Sequence, residues 1–158
     1  MGKGVVKGGV QAEDGTWSGQ VWTPIGRWIV DDWDTRYFNG FFDGGNYIIK
    51  NLYVKDFREA GLFGLGGEFY EIKNIKVTSG YVSGTVYSGI ILGCDAGDVR
   101  MVGDIMNCEV TNSTVVGEYA GGIVGAHITN YVNAYMSNCS FARECYWNMG
   151  CRRNYSVK

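Results

Sequence analysis

Proline, histidine and net charge are all scarce in this chain of 158 residues. The sequence contains one proline (Pro24), one histidine (His127) and a formal net charge of −2 at pH 7. Nucleic acids are bound through clusters of Lys and Arg, so a charge this close to neutral argues against a nucleic-acid partner. No segment approaches the roughly 18 apolar residues of a membrane-spanning helix, so membrane insertion is not expected.

The first residues also lack the apolar core of a signal peptide. The segment Met1-Gly2-Lys3-Gly4 is short of apolar side chains, whereas an export signal carries an apolar stretch behind its basic start. Two interpretations follow: a cytosolic protein, or part of a longer exported protein whose leader has been trimmed. The second is favoured by the resemblance described below.

Glycine and aromatic residues are abundant instead. There are 25 Gly, aromatic residues make up 15% of the chain, and hydrophobic residues make up 46%. A chain of this composition can bury a core, so disorder is not expected. So much glycine without a G-X-Y period excludes collagen and predicts many tight turns. The aromatic content favours strands.

One short motif, apolar-x-Asn-apolar-x-apolar, occurs four times. Its copies are Ile49–Val54, Ile72–Val77, Ile105–Val110 and Met136–Phe141. Each apolar run is too short for a helix and predicts strand, with the Asn in the left-handed conformation that bends the chain. If the repeats stack, the Asn side chains form a ladder of amide hydrogen bonds. The predicted ladder consists of Asn51, Asn74, Asn107 and Asn138, at separations of 23, 33 and 31 residues.

A second motif, an apolar run between glycines, alternates with the first. Its copies are Gly61–Gly64, Gly89–Gly93 and Gly122–Gly125. Two alternating strand motifs predict an all-β fold, a parallel β-helix (solenoid) of about four coils in which each coil is stabilised by its neighbours. We expect a single domain over 1–158. Its predicted parts are an N-terminal strand and cap region over 1–47, repeat coils over 48–141 and a C-terminal cap over 142–158, the caps being irregular.

The cysteines argue against a metal centre. The five residues are Cys94, Cys108, Cys139, Cys145 and Cys151, with no C-x-x-C pair. With a single histidine beside them, we expect no zinc site and no cofactor. Stacking predicts a buried column of Leu52, Ile75, Cys108 and Cys139. Core packing of these thiols is favoured over the alternative, a disulfide within 139–151.

The motifs resemble the GLUG-motif repeats of bacterial secreted and surface proteins, including segments that flank the catalytic domain of IgA-specific metallopeptidases. The resemblance rests on Trp22–Gly26, Phe38–Gly44, Ile49–Leu52, Gly61–Gly64, Gly122–Gly125 and Cys145–Asn148. It implies a right-handed β-helix outside the cell or on its surface, within a longer protein. It brings no catalytic residues. The partners it implies are neighbouring domains, and a host protein or glycan.

Exposed aromatic residues are the candidate ligand-binding groups. Trp28, Trp33 and Tyr37 lie in an Asp-rich segment, where flat rings beside carboxylates and amides suit stacking on sugars. Aromatic residues near a terminus more often cover the end of a core, so a cap role is favoured. The leading expectation is a structural or adhesion segment, with a carbohydrate-binding module as the alternative.

Enzymatic and metal-binding readings are weaker. A polysaccharide lyase would need carboxylates to converge beside a base, and Arg100 lies near Asp95, Asp98 and Asp104. A charged surface loop explains these residues more simply. The acidic run 31–34 is read as a solvated loop rather than a calcium site. His127 has no nucleophile motif beside it, so we expect no catalytic residue and no metal site.

Overall fold

The fold is given by a computed structural model, which describes residues 8–28, 35–96, 103–128 and 134–142. In these ranges the regular elements are β-strands. None of the described residues belongs to a helix long and apolar enough to cross a membrane. The predicted all-β class is confirmed.

The strands are short and are separated by residues that favour turns. Most have three or four residues, whereas β5, β6 and β8 have 8, 11 and 9. In chain order the strands are β1 (Gly9–Gln11), β2 (Trp17–Gly19), β3 (Phe38–Asp43), β4 (Ile48–Lys50), β5 (Tyr53–Ala60), β6 (Phe63–Lys73), β7 (Lys76–Thr78), β8 (Tyr81–Gly89), β9 (Leu92–Asp95), β10 (Gly103–Met106), β11 (Glu109–Thr111), β12 (Thr114–Val116), β13 (Tyr119–Gly121), β14 (Val124–His127), β15 (Ala134–Ser137) and β16 (Ser140–Ala142).

Three of the sheets formed by these strands are parallel. The first contains β3, β6, β9, β10, β14 and β15; the second contains β4, β7, β11 and β16; the third contains β5, β8, β12 and β13. In each sheet, strands that pair come from successive repeats of the sequence. A separate hairpin of β1 and β2 is antiparallel.

The first sheet bends along the long strand β6. The beginning of β6 pairs with β9, with Phe63 opposite Leu92. Its end pairs with β10, with Ile72 opposite Ile105. Strand β6 therefore pairs with one strand at its beginning and with another at its end, one on each side of the bend.

In each parallel sheet, equivalent apolar residues of successive repeats lie directly over one another, and their side chains point into the interior. Val54 lies opposite Val82, and Val82 lies opposite Val115. All three are fully buried, and so are the paired Ile72 and Ile105. Complete burial of one such side chain contributes about 1.5–3 kcal/mol. The core therefore consists of columns of matching side chains.

The glycine motif marks a place where the backbones of successive repeats come very close. A Cβ atom on Gly125 would lie 2.4 Å from the carbonyl oxygen of Gly93. A Cβ atom on Gly93 would lie 2.8 Å from the carbonyl oxygen of Gly64. Only glycine fits at these three positions, which explains why the motif recurs.

The Asn residues of the first motif adopt the predicted left-handed conformation. Their φ angles are 57° for Asn74, 52° for Asn107 and 49° for Asn138. Asn tolerates this conformation better than most residues do. Each of the three ends a strand of the first sheet just before a strand of the second begins, so it forms the corner between the two sheets.

Side-chain amides join these corners from one repeat to the next. Asn138 Nδ2 donates to Asn107 Oδ1 at 2.8 Å, and Asn107 Nδ2 donates to Asn74 Oδ1 at 3.2 Å. Asn74 Nδ2 donates in turn to Asp43 Oδ1 at 2.9 Å. We call this series the amide chain; its four members are Asn138, Asn107, Asn74 and Asp43.

The prediction that Asn51 belongs to the same ladder is wrong. Asn51 follows β4, which pairs with β7 rather than with the end of β6. Its backbone N–H donates to the carbonyl of Thr78, and Ser79 in the next repeat donates to Thr111. Asn51 therefore lies at a different corner, in register with Ser79.

The predicted buried column is correct for its last three members and wrong for the first. Ile75, Cys108 and Cys139 are buried and successive, since Glu109 N donates to Ile75 O and Ser140 N donates to Cys108 O. Leu52 is displaced with Asn51: Tyr81 N donates to Leu52 O, and Thr114 N donates to Gly80 O. Leu52 is therefore equivalent to Gly80 and not to Ile75.

Parallel pairing begins earlier than residue 48. Strand β3 pairs in parallel with β6, and Ile25 forms a parallel bridge with Phe63. The predicted N-terminal strand and cap region over 1–47 therefore contributes strands to the parallel sheets. Among its described residues, the β1–β2 hairpin lies outside those sheets, and its Trp17 ring stacks at 5.0 Å on Tyr81. Most of the predicted C-terminal cap, 143–158, lies outside the described residues.

Candidate functional site

Trp28 lies on the surface and is held by contacts with strand β5. Its side chain is 48% exposed. Its backbone N–H donates to Glu59 Oε2 at 3.3 Å, and the guanidinium carbon of Arg58 lies 5.4 Å from the ring centroid. Trp28 directly follows Arg27, which forms an antiparallel bridge with Arg36. The backbone at and before Trp28 is therefore positioned by hydrogen bonds.

Arg58 lies against two aromatic rings. Its guanidinium carbon is 5.5 Å from the ring centroid of Tyr87, in addition to its contact with Trp28. Tyr87 lies opposite Tyr119 in the register of β8 and β13, and the two ring centroids are 5.4 Å apart with an interplanar angle of 32°. We call this surface the aromatic patch; it consists of Trp28, Arg58, Tyr87 and Tyr119.

The buried carboxylate of Glu59 accepts hydrogen bonds from two members of the patch. Glu59 is only 2% exposed and accepts hydrogen bonds from Arg58 Nη1 and from the backbone of Trp28. A buried charge is tolerated when it is paired and hydrogen-bonded, and breaking such a pair is strongly destabilising. Glu59 therefore fixes the position of the Arg58 guanidinium group and of the Trp28 backbone.

The hydroxyl of Tyr87 is protonated at neutral pH, as that of a tyrosine ordinarily is. Loss of solvation is the largest cause that raises the pKa of Tyr87, while the positive charge of Arg58 opposes the rise. The group therefore presents a neutral O–H donor at physiological pH. Tyr119, at the outer end of the patch, is 50% exposed. The patch thus offers exposed ring faces, a fixed cation and hydroxyl groups on one surface.

Tyr37 is the other aromatic candidate among the described residues. Tyr37 is exposed and lies next to Gly67, where a Cβ atom would meet the Cβ of Tyr37 at 2.7 Å. Gly67 belongs to β6, whereas Arg58 and Glu59 belong to β5. Trp33 lies outside the described residues. Of the two described candidates, Trp28 is part of the aromatic patch and Tyr37 lies beside β6.

Sequence reasoning missed Arg58, Tyr87 and Tyr119. A signal was present for the two tyrosines, because they occupy equivalent positions one repeat apart, just before the Gly motif. Arg58 gave no such signal. It belongs to the part of β5 where the register shifts twice between Lys55 and Glu59, and such irregularities are not visible in the sequence.

A second polar cluster lies at the bend of the first sheet. Asp95 is buried, and its Oδ2 is 2.6 Å from Nδ1 of the half-exposed His127, which lies opposite it in the register of β9 and β14. Tyr70 is buried nearby, and burial, followed by the negative charge of Asp95, raises the pKa of its hydroxyl. The cluster brings together side chains of β6, β9 and β14.

The thiol nearest to this cluster is poorly suited to nucleophilic chemistry. Cys94 is completely buried, and burial, with smaller effects of Glu59 and Asp95, raises its pKa to about 12. A thiol of this kind stays protonated at neutral pH, whereas the thiolate is the nucleophile. The contact between His127 and Asp95 therefore lies beside a thiol that is not a nucleophile at neutral pH.

The predicted acidic loop is only partly described. Arg100 and Asp98 lie outside the described residues, as does the acidic run 31–34. Asp104 is half-buried: its Oδ1 has no hydrogen-bond partner among the described residues, and burial, with a smaller effect of Glu71, raises its pKa. The described ranges contain no group of three or more His, Cys, Asp or Glu side chains able to hold a metal ion.

The aromatic patch is therefore the surface of the described chain with the clearest binding chemistry. It combines exposed rings with an arginine whose orientation is fixed by a buried partner. Aromatic and Arg side chains of this kind are the groups most often found at the energetic centres of interfaces. Comparison of the chain with protein-family models, curated proteins and solved structures gave no match.

Proposed function

We propose that the chain is a short right-handed parallel β-helix of the GLUG-repeat type. In this proposal it is a non-catalytic spacer or adhesion segment of an extracellular bacterial protein. The observation that carries the proposal is the in-register parallel pairing of strands one repeat apart in all three parallel sheets. In a protein built from repeats that contact only their neighbours, added repeats increase the length and use the same contacts between neighbours. This property suits a spacer.

The side-chain arrangement at the corners supports this architecture. The amide chain links three successive repeats at the same corner, and the glycine motif lets the backbones of successive repeats approach closely at another. Both features belong to a stack of equivalent units rather than to a site built once. We therefore take the stack itself as the functional element, presenting surfaces and separating neighbouring domains.

Deletion of one complete repeat tests the architecture. Removing residues 75–107 joins Asn74 to Cys108, which occupies the position equivalent to Ile75. We expect the shortened chain to fold cooperatively, with a β-sheet circular dichroism spectrum and a smaller dependence of the unfolding free energy on urea. The control is deletion of 75–90, about half a repeat, which removes the register and should abolish folding. Folding of the control, or failure of the complete-repeat deletion, contradicts the proposal.

Surface labelling tests the proposed location. Antibodies raised against the purified chain should label intact cells of the source organism or its culture medium. Labelling that requires permeabilised cells contradicts an extracellular location. A polysaccharide lyase is the remote alternative, based on the nearness in sequence of Arg100 to Asp95, Asp98 and Asp104. It would be favoured by the appearance of unsaturated uronate products, detected by ultraviolet absorbance.

The aromatic patch favours a second candidate function, a carbohydrate-binding module on the same scaffold. A sugar ring presents C–H groups that pack on an aromatic face, and hydroxyl groups that accept hydrogen bonds from a guanidinium group. Trp28 and Tyr119 offer exposed rings on either side of the fixed Arg58. Their positions are set before a ligand arrives, so little conformational entropy is lost on binding.

A glycan array with matched variants distinguishes the two candidates. For a binding module we expect Trp28→Ala and Tyr119→Ala each to reduce binding at least tenfold, about 1.4 kcal/mol. Trp33→Ala tests the candidate outside the described residues. The matched control is Tyr47→Ala. This substitution removes an aromatic side chain that is 82% exposed and lies in the connection between β3 and β4, outside the aromatic patch. Absence of glycan binding by the unmodified chain favours the spacer or adhesion role.

A further inference from the structure

Two cysteines occupy the same position in successive repeats. Cys108 lies between paired strands on both sides: Met106 is opposite Ser137, and Glu109 is opposite Ser140. Ser140 N donates to the carbonyl oxygen of Cys108 at 2.9 Å, so Cys139 lies directly next to Cys108. Adjacent parallel strands are about 4.8 Å apart, within the Cα separation of about 4.4–6.8 Å that a disulfide spans.

The two thiols have matching surroundings. Cys108 Sγ donates to Met106 O at 3.3 Å and Cys139 Sγ donates to Ser137 O at 3.3 Å, and Met106 lies opposite Ser137. Cys139 Sγ also lies 3.5 Å from Ile105 O, in the repeat that contains Cys108. The interaction between the two thiols raises the pKa of Cys108 and lowers that of Cys139. Cys139 is also the more accessible thiol, at 9% exposed against 1% for Cys108. Cys139 is therefore the thiol that a reagent reaches first.

Cys94 provides the internal contrast. It is also a buried free thiol, but its register neighbours are Leu65 and Ala126. No second sulfur lies beside it in the column, and burial raises its pKa to about 12. Burial of a cysteine in this fold is therefore not enough to create a reactive pair.

We propose that Cys108 and Cys139 form a thiol–disulfide site, in which oxidation creates a covalent bond between two successive repeats. The site is independent of the proposed function, since it depends only on the register of β10 and β11 with β15 and β16. Its co-substrate is a low-molecular-weight disulfide.

The reaction proceeds in two exchanges. The Cys139 thiolate attacks one sulfur of the small disulfide; the S–S bond of the reagent breaks, and one small thiolate leaves and takes up a proton. Cys108 then loses its proton to solvent and attacks the Cys139 sulfur of the mixed disulfide, and a second small thiolate leaves. Two protein thiols are oxidised to one disulfide while one small disulfide is reduced to two thiols.

Oxidised glutathione and peptide mass mapping test the site on the unmodified full chain. We expect loss of two thiol hydrogens and a proteolytic fragment in which the peptides containing Cys108 and Cys139 are joined. Because the bond closes a loop spanning one repeat, the Tm should rise by about 5–10 °C and return to its initial value with dithiothreitol.

Matched variants identify the pair. Cys94→Ser should leave both the joined fragment and the Tm rise unchanged, and so should the double variant Cys145→Ser, Cys151→Ser. Cys139→Ser should eliminate both. The proposal is overturned if no joined fragment forms, if Cys139 is joined to Cys145 or Cys151 instead, or if the bond forms without raising the Tm. The mapping needs no variant, so it remains decisive if a substituted chain fails to fold.

Discussion

Two corners of the fold meet the same backbone requirement with different side chains. In the first, the left-handed residues are Asn74, Asn107 and Asn138, joined by amide hydrogen bonds. In the second, they are Asn51, Ser79 and Asn112, with φ angles of 57°, 57° and 50°. Among the described side chains no hydrogen bond joins the members of this second corner. Similar backbones thus lead to different connections between repeats.

The difference shows that two requirements are separable. A left-handed φ angle is a local condition that each residue meets alone, and Ser79 meets it although Ser is not a residue known for this conformation. A chain of amides requires the same side chain at the same corner in every repeat. One serine in the middle of the second corner is enough to prevent it, because a hydroxymethyl group is shorter than a carboxamide.

The largest effect is expected from removing the middle amide of the first corner. Asn107→Ala loses a side chain that tolerates left-handed φ and leaves both Asn74 and Asn138 without their amide partner. We expect a loss of about 2–3 kcal/mol in the free energy of unfolding, measured by urea denaturation. The control, Asn112→Ala, loses only the conformational preference and should cost about 1 kcal/mol. Equal losses in the two variants would show that the amide chain adds nothing.

A smaller effect, of opposite sign, is expected at the second corner. Ser79→Asn places a carboxamide between Asn51 and Asn112 and supplies the residue type that favours φ near 57°. We expect the free energy of unfolding to rise by about 0.5–1 kcal/mol. The control is Ser79→Gly, which supplies the backbone preference without the amide. If the Gly variant is as stable as the Asn variant, a second amide chain has not formed.

The smallest effect is a dependence on pH at the end of the amide chain. The hydrogen bond from the Asn74 side chain, followed by that from the Gly45 backbone, lowers the pKa of Asp43 below 3.8. A lowered pKa in the folded state gives stability that is present above the unfolded pKa and lost as the pH falls through the folded one.

Asp43→Asn is the variant that isolates this dependence. An asparagine still accepts from Asn74 but does not titrate, so the variant should lose less stability than the unmodified chain below about pH 4. Urea denaturation at pH 3 and at pH 7 measures the difference. Identical losses in the two proteins would show that the carboxylate charge does not matter at this corner.

Much of the fold could be predicted from the sequence, because the repeat period states which residues are equivalent. Asn107 and Asn138 are 31 residues apart, and Asn74 and Asn107 are 33 apart. The same period applied backwards from Asn74 leads to Asp43-Gly44. Asp43 pairs with Lys73, so Gly44 takes the corner position and Asp43 supplies the side-chain acceptor. Asn51 resembles the motif in its local sequence but not in its spacing, so the local pattern assigns it to the wrong corner.

The local resemblance has a physical origin. Both corners follow a short strand with a left-handed residue, so both produce the pattern apolar-x-Asn. Ile49-Lys50-Asn51 and Val110-Thr111-Asn112 belong to one corner and Ile105-Met106-Asn107 to the other. The pattern apolar-x-Asn therefore predicts that a corner is present. The spacing to the equivalent Asn in the next repeat is needed to tell which of the two corners it is.

The aromatic patch was predictable only at Trp28. The remaining members are brought together by the packing of successive repeats and by the irregular register of β5, which depends on three-dimensional contacts. Glu59 illustrates the limit: nothing in Arg58-Glu59-Ala60 indicates that the carboxylate is buried under an arginine and a tryptophan.

The amide chain also has a direction. Every Nδ2 in it points toward the N-terminal repeat, and the last acceptor, Asp43, is a carboxylate with no N–H to pass the series on. A repeat inserted between Asn74 and Asn107 would keep each amide donor matched to an oxygen acceptor. In a repeat added before Asp43, the amide oxygen at this corner would face the Asp43 carboxylate, and neither group could donate a hydrogen bond to the other. Lengthening the array at that end would therefore require an amide in place of the carboxylate.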